Sequence, residues 1–235
     1  MSLIELRNVT KSYGGLRPFR LRALDVEPGE FVAIAGVDHQ AATVLTDLLT
    51  GTTLPDEGGS ISIAGKATSA ISSQDDWLAF LDRFGIVNDR VVLLDDLTVA
   101  ANLAVPLTLA IDPMPVEARR AVEALAGEVG LPGACLDAPL REATALDRFR
   151  VRLGRAVALN PAILIVEHPT LDLSDRLDAA AAMEALRRVV NARQLAAIVA
   201  VADSRLSRGF ATRHLTWQPT SGELSEAGRW RRWFT

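Results

Sequence analysis

An α/β architecture built on a parallel sheet is predicted by three features of this chain. Continuous apolar runs at residues 31–35, 162–166 and 195–202 read as strands covered on both faces. An Ala-rich helical stretch, 175–191, lies between the last two runs, and parallel neighbours need a crossover of at least that kind. Strands gather in the first and last thirds with helices between, and no low-complexity linker or internal repeat separates them. With 49% of its 235 residues apolar, the chain can bury one large core. A single domain, 1–235, is expected: 1–88 and 148–235 form the strand-rich body and 89–147 a helical insert.

Each element has a local reason. Residues 3–9 alternate as a strand, and the runs 19–26 and 31–35 follow, set off by Gly14-Gly15 and by the turn Glu27-Pro28-Gly29-Glu30. A second turn at 55–59 leads into the alternating strand 60–63. A helix over 75–84 and a short strand over 85–87 come next. Thr98 is a suitable N-cap for a helix over 99–109. Pro115 opens another helix, in which Val122, Leu125, Ala126 and Val129 share one face, and Gly130, Pro132 and Gly133 end it. A further helix over 146–158 stops at Asn160-Pro161, and 214–217 with Ser221-Gly222 suggests an edge strand and turn.

Composition excludes several function classes. A net charge of −4 leaves no electrostatic footprint for nucleic acid. The one basic cluster is the tail 229–234, where interleaved Arg and Trp suit a membrane interface or partner groove as well as a frayed end. A single cysteine, Cys135, rules out an internal disulfide and fits a reducing compartment. The opening residues lack the apolar stretch of a secretory signal. The longest uncharged apolar stretch, 97–111, is shorter than the roughly 20 residues that span a bilayer, and it contains Asn102 and Pro106.

The chemical centre of the sequence is the window Gly36-Val37-Asp38-His39-Gln40-Ala41-Ala42-Thr43, between a buried strand and a helix starting near Ala42. A phosphate loop reads G-x-x-x-x-G-K-[ST]: glycines let backbone N–H groups reach phosphate, Lys pairs with the outer phosphates and Ser/Thr holds Mg²⁺. Gly36 and Thr43 remain, while Ala41 replaces the second glycine and Ala42 the lysine. Asp38 adds negative charge where phosphate sits. Lys11 and Lys66, the only lysines, lie outside the loop, which leaves open an arginine arriving from another segment. Thr43 reads more readily as a helix-start cap than as an Mg²⁺ ligand.

The whole order resembles the ATP-binding cassette family, the nucleotide-binding subunits of ABC transporters. The resemblance is carried by LRNVTKSYGG, FVAIAG with VLTDLLTG, LPDEGGSISIAGK, RFGIVNDRVVLLDDLTVAANLAVPL and RVRLGRAVALNPAILIVEHPT, in family order. It implies a P-loop NTPase (RecA-like) core with an N-terminal antiparallel β subdomain and an inserted helical signature subdomain. It places Tyr13 where an aromatic ring stacks on adenine, and 36–44, through Val44, as the phosphate loop. Asp89 falls at the Q-loop glutamine, Ala143-Thr144-Ala145-Leu146-Asp147 at the LSGGQ signature, Glu167 at the Walker B aspartate and His168 at the catalytic glutamate. Ser174 falls at the D-loop aspartate and Ala202 at the switch histidine. Gly36, Gly51, Gly65, Gly85, Arg155, Pro161, Pro169 and Thr170 keep the family's structural residues.

These departures lead to an expectation of weak or absent ATP and Mg²⁺ binding. Loss of the lysine and the glycine nest costs roughly 3–6 kcal/mol, or about two to four decades of affinity. Any Mg²⁺ would fall to Thr43 and Glu167, and no other metal site is expected; His39, His168 and Glu167 are expected to line one cavity as a hydrogen-bonded plug. The resemblance implies a structural or regulatory transporter subunit, peripheral at the inner face of the cell membrane. Its expected partners are a transmembrane permease and either another cassette or a second copy, with no nucleic acid. The insert, about 89–140, is expected to carry the partner surface through apolar positions in 97–109, and Leu146 to intrude on a partner's γ-phosphate. Two alternatives stand beside it: an unorthodox ATPase using Glu167 and His168, and a soluble regulatory scaffold outside transport.

Overall fold

Apolar strands alternating between two buried faces organise the molecule, which a computed structural model describes over residues 2–15, 17–203 and 210–226. The chain runs β1 (Ile4–Lys11), β2 (Phe19–Val26), β3 (Phe31–Ala35), α1 (His39–Leu49), β4 (Ser60–Ile63), β5 (Lys66–Ala67), α2 (Gln74–Leu81) and β6 (Phe84–Val87). It continues through α3 (Val99–Ala104), α4 (Val116–Val129), α5 (Ala145–Val157), β7 (Ile163–Glu167), α6 (Arg176–Arg193), β8 (Ala196–Val201), β9 (Arg213–Gln218) and β10 (Glu223–Glu226).

Among the described residues these strands make two sheets. One is antiparallel, in the order β2-β1-β4-β5. The other has the order β10-β9-β3-β8-β7-β6, parallel except for β10 at its edge. In β3, Phe31 and Ala35 face a core shared with α3, α4, α5 and α6, while Val32 and Ile34 face a core shared with α1 and the antiparallel sheet. In β7, Leu164 and Val166 take the first side and Ile163 and Ile165 the second. Covering on both faces is why these strands read as unbroken apolar runs.

Two retained glycines have visible reasons. Gly36 turns the chain out of β3 with φ 81, and a Cβ there would meet the Trp217 carbonyl at 3.3 Å. At Gly85 a Cβ would sit 2.3 Å from the Ala156 carbonyl, so β6 and α5 approach too closely for any side chain.

Several boundaries differ from the sequence reading. Helix α1 begins at His39 rather than Ala42, because Asp38 supplies its cap. Thr98 does cap α3, accepting the N–H of Ala101, but that helix covers only Val99–Ala104 and all six of its residues are buried. Pro106 lacks the N–H needed to continue it. The 97–109 stretch is therefore core through α3, half-buried over 105–108 and strongly exposed at Leu109, so fewer of its apolar positions are open to a partner than the sequence suggests. Strand β9 is internal, flanked by β3 and β10, so the edge lies one strand later than expected. The basic tail, 229–234, falls outside the described residues.

Asn102, fully buried in α3, fixes the segment that follows β6. Its side chain accepts the Leu94 N–H at 2.8 Å and donates to the carbonyls of Leu94 at 2.9 Å and Thr98 at 3.0 Å.

Candidate functional site

Parallel register brings the C-terminal ends of β3, β8, β7 and β6 to one edge of the sheet. Ligand sites of open α/β sheets form at such edges. Gly36 to His39, Ala202, Glu167 with His168, and Asn88 to Arg90 follow those strands directly. A nearly filled cleft of about 30 Å³ lies there, lined by His39, Asn88, Asp89, Glu167 and His168 together with Ala145, Phe149 and Arg152 of α5.

The phosphate loop is closed by its own carboxylate. Asp38, with extended backbone, accepts the Ala41 N–H at 2.8 Å, which satisfies one of the free donors at the start of α1. A negative group thus already sits where the helix end would favour an anion. His39 and Gln40 are exposed, Ala41 and Ala42 are buried, and Val44 packs half-buried against the core. The lysine position of the motif is therefore a core position in this chain. Thr43 is not the cap expected from sequence: it lies a full turn inside α1, its hydroxyl donating to the His39 carbonyl at 3.2 Å.

Glu167 ends β7 with a side chain only 2% exposed, and its Oε1 is held by two donors. Arg90 donates from Nη2 to its Oε1 at 2.7 Å, and Asn88 Nδ2 donates to the same oxygen at 3.2 Å. Arg90 Nη1 also donates to the Thr43 hydroxyl at 2.5 Å, and that hydroxyl lies 3.5 Å from Glu167 Oε2. One guanidinium thereby joins α1 to β7. Asp47, one turn after Thr43, shares this environment: burial raises its carboxyl above the usual range, with Arg90 opposing the shift and Glu167 adding to it.

Sequence reasoning placed Asp89 at the Q-loop position, yet its neighbours Asn88 and Arg90 are the residues that reach Glu167. Asp89 points to His39, with 3.7 Å between its carboxylate and Nε2. The available signal was a carboxamide and a cation flanking Asp89 directly after a buried strand.

His39 and His168 stack across the cleft, ring centres 5.8 Å apart and planes 22° from parallel. His168 has a positive φ of 47, its N–H donates to the Ala200 carbonyl at 2.9 Å, and its Nε2 is buried without a hydrogen-bond partner. Among the described residues no group of three or more His, Cys, Asp or Glu side chains is placed to hold a metal ion. Ala202 is exposed just past β8 and brings no polar side chain to the edge.

The signature segment is closed in the same manner as the loop. Thr144 caps α5, accepting the Asp147 N–H at 3.1 Å while donating to the Asp147 carboxylate at 2.9 Å. Asp147 also accepts from Arg150 at 3.0 Å. Leu146 and Ala143 are half-buried and pack against the helical core. Tyr13, half-buried, packs against the core beside the antiparallel sheet, with its ring close to Gly15.

Residues 21–171 match the family model described as ABC transporter, which is more than half of the chain. The chain belongs to the ABC transporter family. This cassette is 30% identical over 211 residues to the lipoprotein-releasing system ATP-binding protein LolD of Pseudomonas syringae pv. tomato, covering 88% of this chain and 91% of that protein. It is 29% identical to the cell division ATP-binding protein FtsE of Escherichia coli K12, over 74% of this chain and 78% of FtsE. Its fold matches the bacterial ABC transporter cassette MJ0796, solved as a dimer, with a TM-score of 0.75 at 24% identity over 95% of this chain and 97% of that one. The Clostridium perfringens protein cbiO1, part of the ABC transporter complex cbiONQ, gives 0.77 at 19% identity over 95% of this chain and 87% of cbiO1. The cassette is thus the nucleotide-binding-subunit type of chain found in membrane transport systems.

P-loop proteins hold Mg²⁺ between the loop hydroxyl and the Walker B carboxylate. In this cassette both groups bind Arg90, and a carboxylate stands at the helix end that would meet phosphate.

Proposed function

We propose that this cassette serves a membrane transporter as a non-hydrolytic subunit, acting through its shape and its partner contacts rather than through ATP turnover. The observation that carries the reading is the Asp38 carboxylate bonded to the start of α1, beside a loop whose lysine position is the buried Ala42. Removing the lysine and the glycine nest weakens phosphate binding by roughly 3–6 kcal/mol, and like charge from Asp38 adds to that. Engagement of Glu167 Oε1 by Arg90 and Asn88 argues against the alternative of an unorthodox ATPase, since a guanidinium already supplies the positive charge a metal would bring to that buried carboxylate.

Titration calorimetry with Mg-ATP tests the reading. No site tighter than about millimolar is expected, and micromolar affinity would refute it.

The family relationship supports a permease as partner and the inner membrane face as location; no helix among the described residues is long and apolar enough to cross a membrane. The surface best suited to docking is an open groove of about 340 Å³ lined by Leu81, Phe84, Ile86, Pro106 and Leu159 with Arg155. Leu159 is 64% exposed there, an apolar side chain without cover. Leu159→Glu is expected to release the chain from native membranes without changing its unfolding transition. A dimer that forms without ATP is favoured over pairing with an intact cassette, because the self-capped signature at Thr144 and Asp147 offers little to a partner's phosphates. Sizing the purified chain with and without ATP separates these arrangements.

A further inference from the structure

Two charged side chains occupy the places that a metal ion and a phosphate would share, and each is held by the groups that would hold the ligand. The Arg90 guanidinium bonds Thr43 at 2.5 Å and Glu167 at 2.7 Å, the hydroxyl and carboxylate between which P-loop proteins place a divalent cation. The Asp38 carboxylate bonds the Ala41 N–H at 2.8 Å, at the helix end where those proteins place an anion. We infer that Arg90 and Asp38 form a built-in substitute for the metal–phosphate pair, which fixes the loop against β7 without nucleotide and excludes a divalent cation from Thr43 and Glu167.

The physical basis is charge compensation at a buried group. Glu167 is 2% exposed, and a carboxylate in such a place needs a cation or strong donors. Asn88 supplies a neutral donor at 3.2 Å, and Arg90 supplies the only charge that the described structure brings into bonding distance. Arg90 is 40% exposed, so its outer edge stays in water while its two Nη atoms point inward. Arg suits this role better than Lys because its planar fork serves two acceptors at once.

This inference deepens the reading of a non-hydrolytic cassette, which stands or falls on the Mg-ATP titration; the test here contains no nucleotide, so the two can fail separately. Thermal unfolding of the full chain would be followed for wild type, Arg90→Met, Glu167→Gln and the double variant, each with EDTA and with millimolar MgCl₂ or MnCl₂. Removing the cation beside the buried carboxylate should lower the Tm of Arg90→Met by roughly 4–8 °C. The double variant should recover most of that loss, since a neutral glutamine needs no counter-charge, and Arg90→Lys should recover part of it. Neither metal should raise the wild-type Tm. If Arg90→Met does not fold, a folded double variant still supports the inference, and failure of both overturns it. Additive losses, an Arg90→Met variant as stable as wild type, or a wild-type Tm raised by either metal would each overturn it.

Discussion

The Asp38 carboxylate accepts the backbone N–H of Ala41 at 2.8 Å, so the acidic residue of the loop is also the cap of the helix behind it. Loss of that cap should be measurable. Asp38→Ala is expected to cost about 1 kcal/mol and Asp38→Gly only a few tenths, read from thermal unfolding. Equal stability of Asp38→Ala and wild type would show that the bond contributes nothing.

Rebuilding the loop should restore nucleotide binding only in part. Ala41→Gly, Ala42→Lys and Asp38→Ser return the motif, but Ala42 is 1% exposed within the core, so the new lysine must thread its stem along apolar neighbours. Arg90 also remains on Thr43 and Glu167. The triple variant is expected to gain about tenfold in Mg-ATP affinity, and adding Arg90→Gln a further factor of about ten. Calorimetry that finds the same affinity in both variants would remove Arg90 from the account.

Asn102→Leu should destabilise the fold by about 2–3 kcal/mol. It removes the fully buried side chain that ties down the Leu94 N–H and carbonyl, and it places a larger apolar group where three hydrogen bonds were. Urea unfolding should show a lower midpoint with an unchanged slope.

Asp47 predicts a pH dependence. Burial raises its folded pKa above the unfolded value of about 3.9. A carboxyl shifted in that direction contributes stability that is full below the unfolded pKa and is lost as pH rises through the folded one. Asp47→Asn should therefore be more stable than wild type at neutral pH, and the difference should vanish below about pH 4. A constant difference across that range would assign the effect to packing instead.

Much of the architecture was legible because its causes are local. The strands at 31–35 and 60–63 and the cap at Thr98 have the boundaries their residues suggest. Where the reading failed, a neighbour decided. The start of α1 moved to His39 because Asp38 rather than Thr43 caps it, and both are acceptable caps by type. The stretch 97–109 looked like a binding surface, yet an apolar run has the same composition whether a partner or the chain's own core covers it.

Period, turn residues and family motifs in the chain were sufficient for the α/β layers, the phosphate-loop frame and the positions at which Ala41, Ala42 and His168 depart from the family. They act over a few residues, so one strand of sequence reveals them. The closure of the site was not legible in that way. Arg90 reaches Thr43 across 47 residues and Glu167 across 77, and these meet only because parallel strands β6 and β7 end on the same edge as α1 begins. No local pattern records which of Asn88, Asp89 and Arg90 turns inward. Strand register and the burial of Glu167 select the guanidinium, since a buried carboxylate takes the nearest charge that can reach it.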